Sequence, residues 1–176
     1  MDKLAPSLIP LDAVDPAMVE QLLDRAFGPG RKARTAYKVR GDAPYLPALS
    51  FGMVDEDRML VATIQAWPVA LTDAQGRAFP LIMVGPVAVL PEKQGDGFGT
   101  ALMLAQAQAL GEIGKEVEPL PQVLIGDAPY YNRFGFSADY TGGWTLPGPW
   151  EAERLLLRCA NPAILPREGT LGPWKL

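Results

Sequence analysis

The sequence of 176 residues contains no histidine and only one cysteine, Cys159. Without histidine there is no serine–histidine triad, and the commonest general base and zinc ligand are both missing. We therefore expect no metal site. A lone cysteine cannot form an intramolecular disulfide, and its place in the apolar run 155–160 predicts a buried, unreactive thiol.

Long hydrophobic runs are also lacking, since no uninterrupted apolar stretch approaches the roughly 18 residues of a membrane span. The charged residues Asp2 and Lys3, followed by Pro6 and Pro10, argue against a signal peptide. The net charge of −4 and the pI near 4.9 argue against a nucleic-acid-binding surface. We therefore expect one cytoplasmic domain over residues 1–176, without membrane or nucleic-acid partners.

The most informative stretch begins at Phe79. Residues 79–91 carry no charge and are rich in β-branched side chains, which is typical of a strand buried on both faces. Pro86 cannot donate a ladder hydrogen bond, so it predicts a bulge or a separation from the neighbouring strand. Beyond this strand, glycines at 95, 97 and 99 predict a sharp turn with accessible N–H groups.

A helix is predicted directly after this glycine loop. Its apolar positions recur at helical spacing on one face: Leu102, Ala105, Ala109 and Ile113. The N-terminus of a helix carries partial positive charge, so a phosphate group is favoured at the loop.

Two motifs in this region resemble those of the GNAT superfamily of acyl-CoA-dependent N-acyltransferases. Gln94-Gly-Asp-Gly-Phe-Gly99 resembles the signature Gln/Arg-x-x-Gly-x-Gly/Ala, and Val87–Pro91 resembles the strand before it. Downstream, Tyr130-Tyr-Asn-Arg-Phe-Gly-Phe136 resembles the element Tyr-x-x-x-Gly-Phe. The preceding Gly126-Asp127 is similar to one bacterial subgroup. The resemblance spans about residues 81–136.

The resemblance implies an α/β (α+β) fold with a mixed, mainly antiparallel central sheet of about six to seven strands, flanked by helices. Hairpin signals connect strands at 46–54, 59–69 and 79–90. A helical crossover predicts that strand 122–126 runs parallel to strand 79–90, with a splay between the two.

The remaining elements lie at the two ends of the chain. Asp15-Pro16 predicts the start of a first helix, and residues 31–40 predict a second helix with an exposed basic surface. Residues 136–144 and 151–160 predict a final hairpin. The tail, 161–176, is predicted to be an irregular strap or a contact in a homodimer.

The resemblance implies acetyl-CoA, or another short acyl-CoA, as co-substrate. Backbone groups left free by the splay would pair with the pantetheine arm, and N–H groups of the glycine loop would hold the pyrophosphate. The residues implied are Val87, Ala88, Val89, Gln94, Gly95, Asp96, Gly97, Phe98, Gly99 and Thr100. Asp96 is expected to point into solvent, since its carboxylate would repel a pyrophosphate.

For catalysis, the resemblance implies that Tyr131 is the general acid, since a phenol of pKa about 10 is protonated at neutral pH. The backbone N–H of Val89 is a candidate to polarise the thioester carbonyl. Asp127 is either a contact for the amine or a water, or a helix cap. Residues 81–84 contain no carboxylate, so deprotonation through water is expected.

The predicted function is N-acetyl transfer from acetyl-CoA to a primary amine by direct attack in a ternary complex. The acceptor is a small molecule or a protein, contacted by residues 28–40 and by Trp144, Trp150 or Trp174, unless these tryptophans only pack. The alternative is a non-catalytic module that binds or senses acyl-CoA. A dinucleotide-binding oxidoreductase fits poorly, because the glycine loop lies in mid-chain after hairpin signals.

Overall fold

The computed structural model describes residues 6–175. The signal-peptide argument from Asp2 and Lys3 lies outside the described residues. The strands are β1 (Ser7–Pro10), β2 (Phe51–Val54), β3 (Leu60–Thr72), β4 (Ala78–Val89), β5 (Gln122–Ile125), β6 (Gly143–Thr145), β7 (Leu155–Arg158) and β8 (Glu168–Pro173). The helices are α1 (Pro16–Phe27), α2 (Thr35–Arg40), α3 (Phe98–Ile113) and α4 (Ala128–Tyr131).

The strands form an eight-stranded sheet in the order β1-β2-β3-β4-β5-β7, with β8 paired to β3 and β6. The predicted mixed, mainly antiparallel sheet with flanking helices is confirmed, although it has eight strands instead of six to seven. Strands β4 and β5 are parallel, with Ile82 opposite Gln122 and Met83 opposite Val123. The parallel pairing ends at Met83, whereas β4 continues to Val89.

The chain divides into two compact units, each built from several segments. We call residues 6–31, 45–66 and 86–119 the first unit, and residues 32–44, 67–85 and 120–175 the second unit. The long strands β3 and β4 contribute residues to both.

In the first unit, α1 begins as predicted. The Asp15 carboxylate accepts a hydrogen bond from Ala17 N at 2.9 Å, and proline occupies the first helical turn. The helix α3 differs from the prediction, because it buries Leu102, Met103, Gln106 and Leu110. Gln106 is tolerated there because its Nε2 donates to Leu49 O at 2.8 Å. A search for apolar spacing passes over such a polar position.

In the second unit, the predicted final hairpin is reduced to one antiparallel bridge, in which Ser137 and Leu157 exchange backbone hydrogen bonds of 3.0 and 2.8 Å. β7 pairs antiparallel with β5 along its whole length, and β6 pairs parallel with β8. The apolar run Leu155–Leu157 is buried, so it takes a place inside the sheet beside β5. Cys159 directly follows β7 and is only partly buried, which corrects the prediction of a buried thiol.

The tail is not irregular throughout, because Glu168–Pro173 forms strand β8. Residues 170–173 pair with 69–72 of β3. Gly169 permits this approach, since a Cβ at that position would lie 2.9 Å from Thr72 O. A strand with three residues of glycine and proline among its six carries little signal in the sequence.

Candidate functional site

Between two hydrogen bonds that join the two sides of the β3–β4 hairpin, the β4 side carries one residue more than the β3 side. Backbone hydrogen bonds join Asp73 N to Arg77 O at the turn and Leu90 N to Val61 O at the other end. Twelve positions separate Val61 from Asp73, whereas thirteen separate Arg77 from Leu90. The extra residue is a β-bulge, and Gly85, with a φ of 122°, marks the irregular backbone. The irregularity expected from the proline that follows therefore begins at Gly85.

The carbonyl of Gly85 is bound by a side chain that the sequence did not single out. Trp67 Nε1 donates to Gly85 O at 2.6 Å. The indole ring is 8% exposed, and the guanidinium carbon of Arg40 lies 3.8 Å from its centre. An alternating strand pattern gives no hint that an indole on β3 binds the backbone of β4.

The predicted cofactor residues lie along one continuous path of the first unit. Ala88 is buried, whereas Val87 and Val89 are partly exposed at the end of β4. The path then passes a 3₁₀ turn, Pro91–Lys93, and reaches the glycine loop. The side-chain amide of Gln94 lies 3.5 Å from Val89 O, a long contact between loop and strand.

The glycine loop ends in an open helix N-terminus. Gly95 has a φ of 91°, and Gly97, the N-cap of α3, has a φ of 82°. An added Cβ at either residue would meet nothing within 4 Å, so it is the backbone conformation that requires glycine. The first N–H groups of a helix have no intrahelical partners, and Gly97 has no side chain to cap them. The loop can therefore bind an anion through the N–H groups of Phe98 and Gly99.

Acidic residues beside this loop are directed to solvent or neutralised. Asp96 is exposed, as expected. Glu92 forms an ion pair with Arg25 of α1, with Nη2 2.9 Å from Oε2. A hydrogen bond from its own backbone N–H and the Arg25 guanidinium hold the pKa of Glu92 below its usual range. Glu92 thus stays ionised and is not a candidate general acid.

The second unit holds Tyr131 at the end of α4. Its ring packs edge-on against Tyr130 at a centroid distance of 4.8 Å and against Phe136 at 6.4 Å. Among residues 6–175, the Tyr131 hydroxyl has no hydrogen-bond partner. Burial, reinforced by Tyr130, raises the pKa of Tyr131 to about 12. The phenol is therefore protonated and available to donate a hydrogen bond.

The ring of Tyr131 lies against Gly126, which explains the glycine before the tyrosine pair. A Cβ at Gly126 would lie 2.5 Å from Tyr131 Cε2, well inside the usual carbon–carbon contact of about 3.5–4.0 Å. Gly126 is further held by a hydrogen bond of 2.9 Å from its N–H to Arg154 O. The ring and the strand end are thus fitted to each other.

Replacing Gly126 by alanine is expected to displace Tyr131 and to lower the free energy of unfolding by about 1–3 kcal/mol through overpacking. Urea unfolding measures this loss. The matched control is Gly111→Ala in α3, where an added Cβ meets nothing within 4 Å, and where alanine is expected to be neutral or stabilising. Equal stability of the two variants would contradict the contact.

Asp127 precedes α4 and is exposed. Its side chain caps no N–H group within the described residues, so the capping alternative is wrong. Instead, its backbone carbonyl accepts hydrogen bonds from Tyr130 N at 3.1 Å and Tyr131 N at 3.0 Å. The carboxylate is therefore available for a water or an amine.

The turn after Tyr131 is fixed by an arginine that the motif does not include. Gly135 has a φ of 89°, which accounts for the glycine of the motif. Arg158 on β7 donates to Phe134 O at 3.1 Å and to Gln122 Oε1 at 2.7 Å. Its guanidinium also lies 4.5 Å from the centre of the Phe136 ring. Only the pairing of β5 with β7 brings Gln122 and Arg158 together.

The residues predicted to contact the acceptor differ in how far their side chains are exposed to solvent. Trp144 is 2% exposed and its indole donates to Pro166 O, so it belongs to the core. Trp150 is 37% exposed. Arg31 is buried beside Asp24 and Glu20, which corrects the expectation of an exposed basic position there. Its ion pairs hold the end of α1.

No helix within residues 6–175 combines the length and apolar character that a bilayer span requires. No group of three or more cysteine, aspartate and glutamate side chains in those residues is arranged to hold a metal ion.

Comparisons with known proteins agree with this arrangement of elements. The GNAT family N-acetyltransferase YhbS from Escherichia coli, solved with CoA, aligns with a TM-score of 0.71 and 23% identity over 99% of this chain and 92% of that chain. A GNAT family acetyltransferase from Brucella melitensis, solved with acetyl-CoA, aligns with a TM-score of 0.53 and 24% identity over 89% and 97% of the two chains. These identities support a common fold. No curated protein matches significantly.

The chain also matches a family model. The model described as the acetyltransferase (GNAT) domain matches residues 12–138, which is more than half of the chain and includes both motifs. The protein therefore belongs to the GNAT acetyltransferase family.

Proposed function

We propose that the protein transfers an acetyl group from acetyl-CoA, or another short acyl group from its CoA thioester, to a primary amine of a small molecule or a protein. The observation that carries this proposal is the open N-terminus of α3, preceded by two glycines with positive φ. Such a terminus suits a pyrophosphate. Family membership and the CoA and acetyl-CoA complexes of the two similar structures support the same co-substrate.

Acyl-CoA binding is assigned to two parts of the first unit. The N–H groups of residues 95–100 hold the pyrophosphate, and the side-chain amide of Gln94 lies 3.5 Å from Val89 O. The backbone of Val87, Ala88 and Val89 pairs with the amides of the pantetheine arm. This assignment is supported by the end of the parallel pairing at Met83, beyond which β4 continues to Val89.

The proposed reaction is direct attack of the neutral amine on the thioester carbonyl carbon. The C–N bond forms, the C–S bond breaks, and the amine gives up one proton to water. The N–H of Val89 polarises the carbonyl oxygen. Asp127, exposed and free of a capping role, is assigned to the ammonium group or to the water that accepts its proton.

Tyr131 is assigned to the departing sulfur. A phenol whose pKa is about 12 holds its proton more tightly than an ordinary thiol, whose pKa is about 8.5. Complete proton transfer to the thiolate is therefore uphill, and stabilisation of the thiolate by a hydrogen bond is the larger part of the role. The unpartnered hydroxyl supports this assignment.

A turnover assay separates the proposed enzyme from an acyl-CoA sensor. The protein is incubated with acetyl-CoA and a panel of primary amines, including aliphatic amines, amino acids and lysine-containing peptides. Thiol release and the mass of the acylated amine are measured. The proposal expects amine-dependent CoA release with an acetylated product, whereas saturable binding without turnover on the whole panel favours a sensor.

A further inference from the structure

We propose that Trp67 is a positioning residue that holds the bulge of β4 in the shape required for acyl-CoA binding. This inference rests on the proposed function. It adds a residue that lies outside both sequence motifs. The indole acts on the backbone of β4 through Gly85, two residues before Val87.

The contact joins the indole N–H of Trp67 to a backbone carbonyl within a β-strand, that of Gly85. Inside a regular strand, a carbonyl pairs with the neighbouring strand. Gly85 departs from this geometry with a φ of 122°, and its oxygen accepts from Trp67 Nε1 at 2.6 Å. The indole thus gives the Gly85 carbonyl a hydrogen-bond partner, and without the indole that carbonyl would lose this partner.

The indole is itself held in place. The guanidinium carbon of Arg40 lies 3.8 Å from the centre of the Trp67 ring and 3.8 Å from that of Tyr37 on α2. Because Trp67 is 8% exposed, its stacked ring has little room to turn. A fixed donor selects one backbone conformation of β4 from those that a glycine permits.

The backbone conformation at Gly85 affects acyl-CoA binding because of its position in β4. Gly85 lies two residues after Met83, where the pairing of β4 with β5 ends. The orientation of the peptide groups that follow depends on the backbone angles at Gly85. If those angles vary, the backbone groups of Val87, Ala88 and Val89 are no longer preorganised for the amides of the pantetheine arm. Loss of the indole donor should therefore weaken acyl-CoA binding more than it slows the chemical step.

The test compares two tryptophans that donate to backbone carbonyls. Trp67→Phe removes the donor to Gly85 O, and Trp144→Phe removes the donor to Pro166 O, which lies 3.0 Å from the indole nitrogen. Both side chains are buried, so both variants are expected to lose stability. Calorimetric titration with acetyl-CoA should show Kd raised about tenfold for Trp67→Phe and unchanged for Trp144→Phe. In turnover, Trp67→Phe should raise KM for acetyl-CoA and retain most of kcat.

Three outcomes are distinguished. Absence of acetyl-CoA binding by the wild type overturns the proposed function, and the inference with it. Wild-type binding with equal Kd values for both variants overturns the inference alone, because the indole then has only a structural role. If Trp67→Phe does not unfold cooperatively, Arg40→Leu, which removes the cation stacked on the indole, is titrated in its place. An unchanged Kd for that variant likewise overturns the inference.

Discussion

Replacing Gly97 by glutamate is expected to weaken binding of CoA by at least about 100-fold. A side chain at a φ of 82° is strained, by about 1–3 kcal/mol. The introduced carboxylate also lies where the pyrophosphate is proposed to bind and repels it. Calorimetric titration of the variant with CoA measures the loss directly.

The matched control is Gly76→Glu in the turn between β3 and β4. Gly76 has a φ of 79°, and an added Cβ would meet nothing within 4 Å, as at Gly97. Both variants carry the same new charge and similar backbone strain, so their losses of stability should be similar. Only Gly97→Glu should lose CoA binding. Wild-type affinity in both variants would show that the glycine loop is only a turn.

Replacing Tyr131 by phenylalanine is expected to lower kcat about 100-fold while KM for acetyl-CoA changes by less than about threefold. The ring contacts with Tyr130, Phe136 and Gly126 are retained. The hydroxyl has no partner among residues 6–175, so its removal breaks no hydrogen bond within them. The effect should therefore fall on catalysis and leave the midpoint of urea unfolding unchanged.

The control for this variant is Tyr130→Phe, the same change at the neighbouring residue, which is expected to retain kcat. The pH dependence adds a second check. Because the pKa of Tyr131 is raised to about 12, the phenol stays protonated below pH 10. The wild-type rate should rise with pH as the amine loses its proton, without a fall from Tyr131 ionisation in that range. Equal kcat values for Tyr131→Phe and the wild type would rule out the assigned role.

The local part of the structure was accessible from the sequence. The Asp15 cap, the β2–β3–β4 hairpins, the irregularity near Pro86 and the glycine loop each depend on residues close together in the chain. Backbone rules for glycine and proline and alternating hydrophobicity are sufficient to predict them. The crossover rule added the parallel strand β5, and family resemblance added the tyrosine element.

The missed features depend on residues far apart in the chain. Strand β8 pairs with residues 69–72, and the run Leu155–Leu157 enters the sheet beside β5 and not beside β6. The hydrophobic periodicity of a segment does not determine which strand it pairs with. The hydrogen bonds from Trp67 to Gly85 O and from Arg158 to Phe134 O were missed for the same reason. Neither can be predicted until the order of the strands is known.

The assignment of this chain as an acyl-CoA enzyme is tested most directly by calorimetric titration of the wild-type protein with acetyl-CoA, with NAD titrated in parallel. We expect saturable binding of one acetyl-CoA per chain and no heat of binding with NAD. Binding of NAD without binding of acetyl-CoA, or binding of neither, would contradict the assignment of the loop at residues 94–100 to acyl-CoA.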